Sequence, residues 1–487
     1  MRSLVSLALV AMVAVVHAIS SSGSRLLVIM DDVADKANYT HFLGDLEGRG
    51  YKLSYETPKS DSLNLVHLGE RSYDHILLFP IKSKGLGPQL TPNILLDFLN
   101  LDGNILLTLS GSQPVPTSIV SLLLELDIEL PADRNGLVVD HFNYAVDSSS
   151  DDHDILVLPV PQSLQAAGLD SGAVDQTHGS SGQEGRRGGR DQTPEGGRGG
   201  SEPSAVIAFP RGVAQILGSG PLIRPILRAP PTAYSYNPKS RDEPLDDLFG
   251  SGPQLSLVSA LQARNSARFT VSGSADMLSD KWLDATVTKV GEKQAVKTAN
   301  RDFAKQLSGW TFKETGVLRV NNIEHRLNEP GMSNETNPKI YRIKNDVTYS
   351  ISLSEYSWDK YIPFTVPEDD ELQLEFSMLS PFHRLNLKPT ISSEDSTTYS
   401  ASFKLPDQHG IFNFLVNYKR PFFSNVFEKN TVSVRHFAHD EWPRSFVISG
   451  AWPWIAGIGA TVAGWLGFCA IWLYSAPPAT KESKKTR

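Results

Sequence analysis

The stretch RLLVIMD, residues 25–31, places Leu26, Leu27, Val28, Ile29 and Met30 in one unbroken apolar run between two charges. A strand with one face in water alternates apolar and polar residues, so a continuous run predicts a strand buried on both faces. The chain on either side repeats the theme. Helix-like THFLGDLEGRGY is followed by KLSYET and HILLFPI, helix-like PNILLDFLNLDG by NILLTLS, and helix-like PTSIVSLLLEL by GLVVDHF. Buried strands separated by helices predict a parallel sheet covered on both sides, an α/β domain of flavodoxin-like type over residues 24–316. Gly103 fits a helix C-cap ahead of the next strand, and Gly50 stands near the end of an earlier helix.

From about Val317 the period changes. YSISLSEY, ELQLEFSML, YSASFKLP, FNFLVNYKR and TVSVRHF alternate with period two and are separated by turn residues. They predict antiparallel strands with one face on a core, and hence a β-sandwich-like domain over residues 317–445.

The two ends of the chain place these domains. Residues 1–18, MRSLVSLALVAMVAVVHA, carry one positive charge, a short apolar run and a small-residue cleavage site, the pattern of a secretory signal peptide. Residues 450–474 include WIAGIGATVAGWLGFCAIWLY, which is uncharged, bordered by Trp and Tyr, and long enough to cross a bilayer as a helix. Ala456, Ala460 and Gly464, and beside them Gly459, Ala463 and Gly467, form two ridges of small side chains that a partner helix could approach closely. The basic tail over 475–487 predicts a cytosolic C-terminus and type I topology, with Lys484 and Lys485 in a dilysine retrieval pattern. The one cysteine, Cys469, lies within the apolar segment, so the luminal part has neither a disulfide nor a thiol nucleophile.

Candidate chemistry is sparse. In an open parallel sheet the active site lies beyond the carboxyl ends of the strands, which points to Asp31 and Asp32 and to Ser110-Gly111-Ser112. MDDVADKANYT contains no glycine to cradle a phosphate, and TLSGSQPVP lacks the first glycine of a nucleophile elbow. Ordinary turn chemistry therefore explains these residues better than a hydrolase built from Ser110, His141 and Asp31. Asp152-His153-Asp154 matches the D-x-D pattern of metal–diphosphate sites but sits in a polar loop, and His436 and His439 have metal-ligand spacing without a third ligand. No catalytic residue, metal site or cofactor is called for. Two sequons, at Asn38 and Asn334, are candidate glycosylation sites.

The stretch GQEGRRGGRDQTPEGGRGGSEP, residues 182–203, looks like a nucleic-acid-binding tail, but its acids balance its arginines and it has no aromatic residue to stack on a base. The whole chain is acidic, with net charge -8, which also speaks against a nucleic-acid partner. A disordered surface insertion over about 162–204 is the better reading.

The blocks SGSRLLVIMDD, LQARNSARFTVSGSADMLSD, WTFKETGVLRV, DDELQLEFSMLSPF and FKLPDQHGIFNFLVNYKR resemble, in the same order, the beta-type (48-kilodalton-class) subunit of the endoplasmic reticulum oligosaccharyltransferase. The resemblance implies a non-catalytic subunit of the complex that transfers a preassembled glycan from dolichyl diphosphate to asparagine in N-x-[ST] sequons. It also implies three kinds of partner: a catalytic multi-spanning subunit, a ribophorin-II-type subunit and a defender-against-death-type subunit. The competing expectation is a type I receptor or adhesion ectodomain, which a sandwich on one span would serve equally well. The lack of disulfides argues against that alternative.

Overall fold

The computed structural model describes residues 20–60, 62–82, 85–133, 136–146, 153–161, 205–237, 249–329, 335–441 and 451–474. Residues 1–18, read above as a signal peptide, the Gly/Arg stretch, Asp152, Asn334, Lys484 and Lys485 lie outside the described residues.

The opening apolar run forms β1 (Arg25–Ile29), in which Leu26, Leu27, Val28 and Ile29 are all fully buried. Each such side chain contributes about 1.5–3 kcal/mol relative to exposure. In chain order there follow α1 (Thr40–Gly48), β2 (Lys52–Glu56), β3 (His75–Leu78), α2 (Pro92–Asn100), β4 (Asn104–Thr108), α3 (Thr117–Glu125), β5 (Ile223–Arg228), β6 (Ser256–Gln262), β7 (Arg268–Ser272) and α4 (Asn300–Thr311). One seven-stranded sheet has the order β2-β1-β3-β4-β7-β6-β5. Strands β2, β1, β3, β4 and β7 pair in parallel, whereas β6 and β5 extend the sheet antiparallel, so it is mixed where the apolar runs predict a parallel one. Leu26 and Val28 pack with Phe42 and Leu46 of α1 and Phe303 and Leu307 of α4, while Leu27 and Ile29 share a core with Leu95 of α2 and Leu122 of α3. Helices cover both faces, which is why the strands carry no polar stripe.

Two details differ from expectation. GLVVDHF supplies Leu137–Val139, but this strand pairs with Tyr234–Tyr236 outside the large sheet. At the end of α2 the left-handed position falls to Asp102 (φ 67°) and not to Gly103. Gly103 is required for space, because a Cβ there would stand 2.2 Å from the Phe98 ring.

The C-terminal unit holds β8 (Val317–Leu327), β9 (Ile340–Arg342), β10 (Asp346–Ser357), β11 (Gln373–Ser377), β12 (Pro381–Asn386), β13 (Lys388–Ser392), β14 (Thr397–Lys404), β15 (Gly410–Tyr418) and β16 (Val426–Arg435). Five-stranded sheets of order β8-β10-β14-β13, with Lys360–Pro363 beside β10, and β9-β16-β15-β11-β12 enclose one core. Val347, Tyr349, Ile351 and Leu353 enter it from β10 at alternate positions, and Phe412, Phe414 and Val416 from β15. Period two in the sequence becomes one buried face per strand. The last element, α5 (Trp452–Leu473), is the one helix among the described residues long and apolar enough to cross a membrane.

The two units meet around Arg268, which is fully buried at the start of β7. Its Nη1 donates to the carbonyls of Trp310 (2.5 Å) and Thr315 (2.7 Å), and its Nη2 to that of Gly316 (2.7 Å). Its guanidinium also lies 4.8 Å from the Trp310 ring centroid, and Trp310 Nε1 donates to the Phe422 carbonyl at 2.8 Å. Gly316 has φ 67°, and a Cβ there would fall 2.5 Å from the Phe422 oxygen. Replacing Arg268 by leucine strands three carbonyls in the junction and is expected to cost about 3–5 kcal/mol. Thermal unfolding of the full chain in detergent, with limited proteolysis near residues 313–317, measures this; a loss below about 1 kcal/mol would show that the junction does not rest on this side chain.

Candidate functional site

A cleft of about 180 Å³ opens where the parallel strands end. Met30 and Asp31 follow β1, Phe79, Pro80 and Lys82 follow β3, Ser110 and Gln113 follow β4, and Asp276 follows β7. Convergence of strand ends at one edge is what places loop side chains together in such sheets. Asp32 does not line this cleft, because its carboxylate accepts from Ala34 N (2.9 Å) and caps the 3₁₀ turn Val33–Asn38. Ser110 is buried, and its Oγ accepts from Ser112 N at 3.3 Å, a local turn bond.

Three polar groups of the cleft, Asp276, Tyr39 and Gln113, are desolvated. Asp276 lies 3.1 Å from Arg211 Nε, but the pair is misaligned and that carboxylate oxygen has no hydrogen bond. Burial raises the Asp276 pKa, Arg211 opposes the shift, and Asp154 adds to it. Burial likewise pushes up the Tyr39 phenol, whose ring packs 4.5 Å from that of Phe79. Gln113 Oε1 is buried without a partner at the boundary with a smaller apolar pocket beneath. Desolvated groups gathered at the strand ends make this cleft the candidate site of the α/β unit.

Asp31 and Ser110 therefore share a cleft, but His141 does not join them. Its Nδ1 lies 2.5 Å from His153 Nδ1 and its Nε2 3.0 Å from the Tyr234 hydroxyl, in a separate surface cluster. His153 has φ 50° and stacks on Tyr144, and Asp154 is buried. His436 follows β16 and packs 3.9 Å from the ring of His409, away from any strand-end cleft. Among the described residues no group of three or more His, Cys, Asp or Glu could hold a metal. Asn38 is exposed on the rim of the cleft, and the Thr40 hydroxyl of its sequon bonds Asp280. Asp276 and Arg211 carry no motif, and only their shared position after buried strands could have pointed to them.

These features define a class: an α/β unit and a β unit in one chain, followed by one helix long and apolar enough to cross a membrane. The chain belongs to the OST48 family, since the OST48 N-terminal domain matches residues 17–176 and 198–314 and the OST48 middle domain residues 328–476. The gap between the two N-terminal segments, residues 177–197, overlaps the Gly/Arg stretch. The chain is 34% identical over 471 residues to the dolichyl-diphosphooligosaccharide–protein glycosyltransferase subunit wbp1 of Schizosaccharomyces pombe, covering 96% of each. It is 29% identical to the 48 kDa subunit of the same-named transferase in Arabidopsis thaliana, over 92% of both chains. The 48 kDa subunit of Danio rerio is also 29% identical, over 92% of this chain and 91% of that one.

Because the folded pKa of Asp276 stands above the ordinary 3.8, folding takes up protons just above that value, and the stability gained at low pH is lost as pH rises through the folded pKa. Asp276→Asn removes this loss. The variant is expected to match or exceed the parent chain at pH 7, with a Tm rise of about 1–4 °C and a flatter profile above pH 4. A marked drop in Tm at pH 7 would show that the Arg211 pair outweighs the desolvation.

Proposed function

We propose that this chain is a non-catalytic, structural subunit of the oligosaccharyltransferase complex of the endoplasmic reticulum. It supports transfer of a preassembled glycan from dolichyl diphosphate to asparagine in N-x-[ST] sequons. The observation that carries the proposal is the family match, which spans both units of the chain in order. The receptor or adhesion alternative finds no support among the relatives.

The non-catalytic reading draws on the strand-end cleft. Its volume is below the roughly 300 Å³ at which ligand pockets begin, and a dolichyl-linked oligosaccharide is far larger than a drug-sized ligand. Asp32 is spent on a cap, and His141 is held elsewhere by His153 and Tyr234. We assign the large sheet to the flavodoxin-like class, because its parallel part runs β2-β1-β3-β4-β7, the order in which such sheets wind. The paired sheets sharing one core, antiparallel except where β9 pairs with β16 in parallel, are assigned to the β-sandwich class. The domain limits follow: 24–316, 317–445 and a span at 450–474, in type I orientation with the bulk of the chain luminal. Lys484 and Lys485 serve retrieval, and Asn38 and Asn334 are the candidate glycosylation sites. The partners are the catalytic multi-spanning subunit and the ribophorin-II-type and defender-against-death-type subunits.

Two experiments test the reading. Complex purified in mild detergent around Asp31→Asn/Ser110→Ala is expected to transfer glycan to an acceptor peptide within twofold of the parent complex; loss of tenfold or more with full assembly would make the cleft catalytic. Along α5, Ala456, Ala460 and Gly464 recur every four residues, as do Gly459, Ala463 and Gly467, and the helix is buried against nothing among the described residues. Ala460→Leu/Gly464→Leu is expected to cut co-purification of the membrane partners severalfold while the luminal Tm is unchanged. Full recovery of every partner would remove this face as the docking surface.

A further inference from the structure

A second concavity, larger than the strand-end cleft, runs along the junction of the two units. It has a volume of about 490 Å³, and its walls come from β5, the β6–β7 turn and the loop between β15 and β16. Arg224, Arg264, Lys419 and Arg420 line it, and no Asp or Glu does. Arg420 is neutralised from behind by Asp369 and Asp370 at 3.3 and 3.2 Å. The other three cations are exposed, and none forms an ion pair within 4.0 Å among the described residues. Such a concentration of positive charge is out of keeping with a chain of net charge -8. Acidic residues elsewhere could have been placed beside it, and like charges crowded in a concave wall focus a field on whatever enters.

The groove also selects among anions. Leu222, 40% exposed, and Phe422 give it an apolar wall that a bare phosphate or sulfate would leave wet. Gln262 is anchored by its Nε2, which donates to the Phe423 carbonyl at 2.6 Å and so turns its Oε1 away from that bond. That oxygen is buried and has no donor. An unpaired buried acceptor costs about as much as a lost hydrogen bond, and a sulfate or a phosphodiester, which offers only acceptors, cannot relieve it. A backbone N–H can.

We propose that this groove receives an acidic, partly apolar polypeptide segment of a neighbouring luminal subunit. Its carboxylates meet Arg224, Arg264 and Lys419, an apolar side chain covers Leu222 and Phe422, and a main-chain N–H donates to Gln262 Oε1. Bidentate guanidinium–carboxylate pairing accounts for two arginines at these positions. Because the groove spans both units, a bound segment would fix their relative orientation as well as add a partner. The proposal rests on the reading of the chain as a subunit of a larger complex.

A photoreactive phenylalanine analogue at Leu222 in the full chain, incorporated in cells, tests it on the intact complex. Irradiation followed by peptide mapping is expected to show one covalent adduct, a luminal segment of another subunit with at least two Asp or Glu within about six residues. Combining the probe with Arg224→Glu/Arg264→Glu/Lys419→Glu is expected to reduce the adduct at least tenfold. The milder Arg264→Gln variant, which leaves the fold untouched, is expected to reduce it about threefold and to make it more sensitive to salt. Recovery of the complex from the same sample reports assembly separately, so loss of the complex and loss of the adduct are distinguishable. An adduct with lipid, with a segment lacking acids, or with yield unchanged in the charge-reversed chain overturns the proposal, as does no adduct from a fully assembled complex.

Discussion

Arg268 is a charged side chain with no access to water, and the junction is arranged to solvate it with protein. Three carbonyls replace its hydration shell: one from the last turn of α4 and two from the link into β8. A helix leaves its final carbonyls unpaired and bears partial negative charge there, so the guanidinium meets that need through Nη1 and Nη2, while its Nε stays buried without a partner. The arrangement demands that the chain leave α4 along one path. Gly316, at a φ that a side chain would resist and against the Phe422 oxygen, supplies that path. Breaking any of these contacts leaves the others buried and unsatisfied, which couples the stability of the sheet to the placement of the β unit.

How much of this is visible in the sequence depends on range. The apolar run at residues 25–31 fixes a doubly covered strand because both faces of the residue string are apolar, and the alternation in FNFLVNYKR fixes a one-sided strand for the same local reason. The antiparallel turn of β6 is legible too, in retrospect. Residues 263–267 give only five residues between β6 and β7, too few for a parallel crossover. Arg268 was not legible. At the start of RFTVS it looks like an exposed strand end, and only the arrival of α4 from some forty residues later buries it. The same limit hid the junction groove, whose cations come from positions 224, 264 and 419. Asp31 and Ser110 could be placed at the strand ends from the sheet rule alone, whereas Asp276 required knowing that β7 lies beside β4.

The two concavities differ in physical character. The strand-end cleft is small and holds groups kept away from their preferred state, with Asp276 misaligned on Arg211 and Gln113 Oε1 unpaired. The groove is large and open, with cations in water that cost little until something displaces that water. Stress in the first is borne by the sheet, whose strands are fixed by two cores. Charge in the second sits on the edge strand β5 and on loops, where arginines and Pro225 also keep other strands from adding to the sheet.

The buried ionisable groups of the two units respond to pH with opposite signs. His75 is fully buried, and burial lowers its pKa to about 3, so protons enter the unfolded chain first and stability falls as pH drops below about 6.5. Asn104 Nδ2 lies 3.2 Å from its Nδ1, and the Gly23 carbonyl lies 3.1 Å from its Nε2, which fits the neutral ring with the proton on Nε2. Glu355 runs the other way. Burial raises it to about 7 against the pull of Arg268, so the folded chain holds the proton and stability falls as pH rises from about 4.5 to 7. Glu314, raised by burial despite Arg49, has the same sign as Glu355, and His325, lowered by burial, the same sign as His75. Between about pH 4.5 and 6.5 the two slopes oppose, each at most about 1.4 kcal/mol per pH unit and per group. The fold is thus less sensitive to acid than its number of buried ionisable groups suggests, because carboxyls and imidazoles are buried in the same chain.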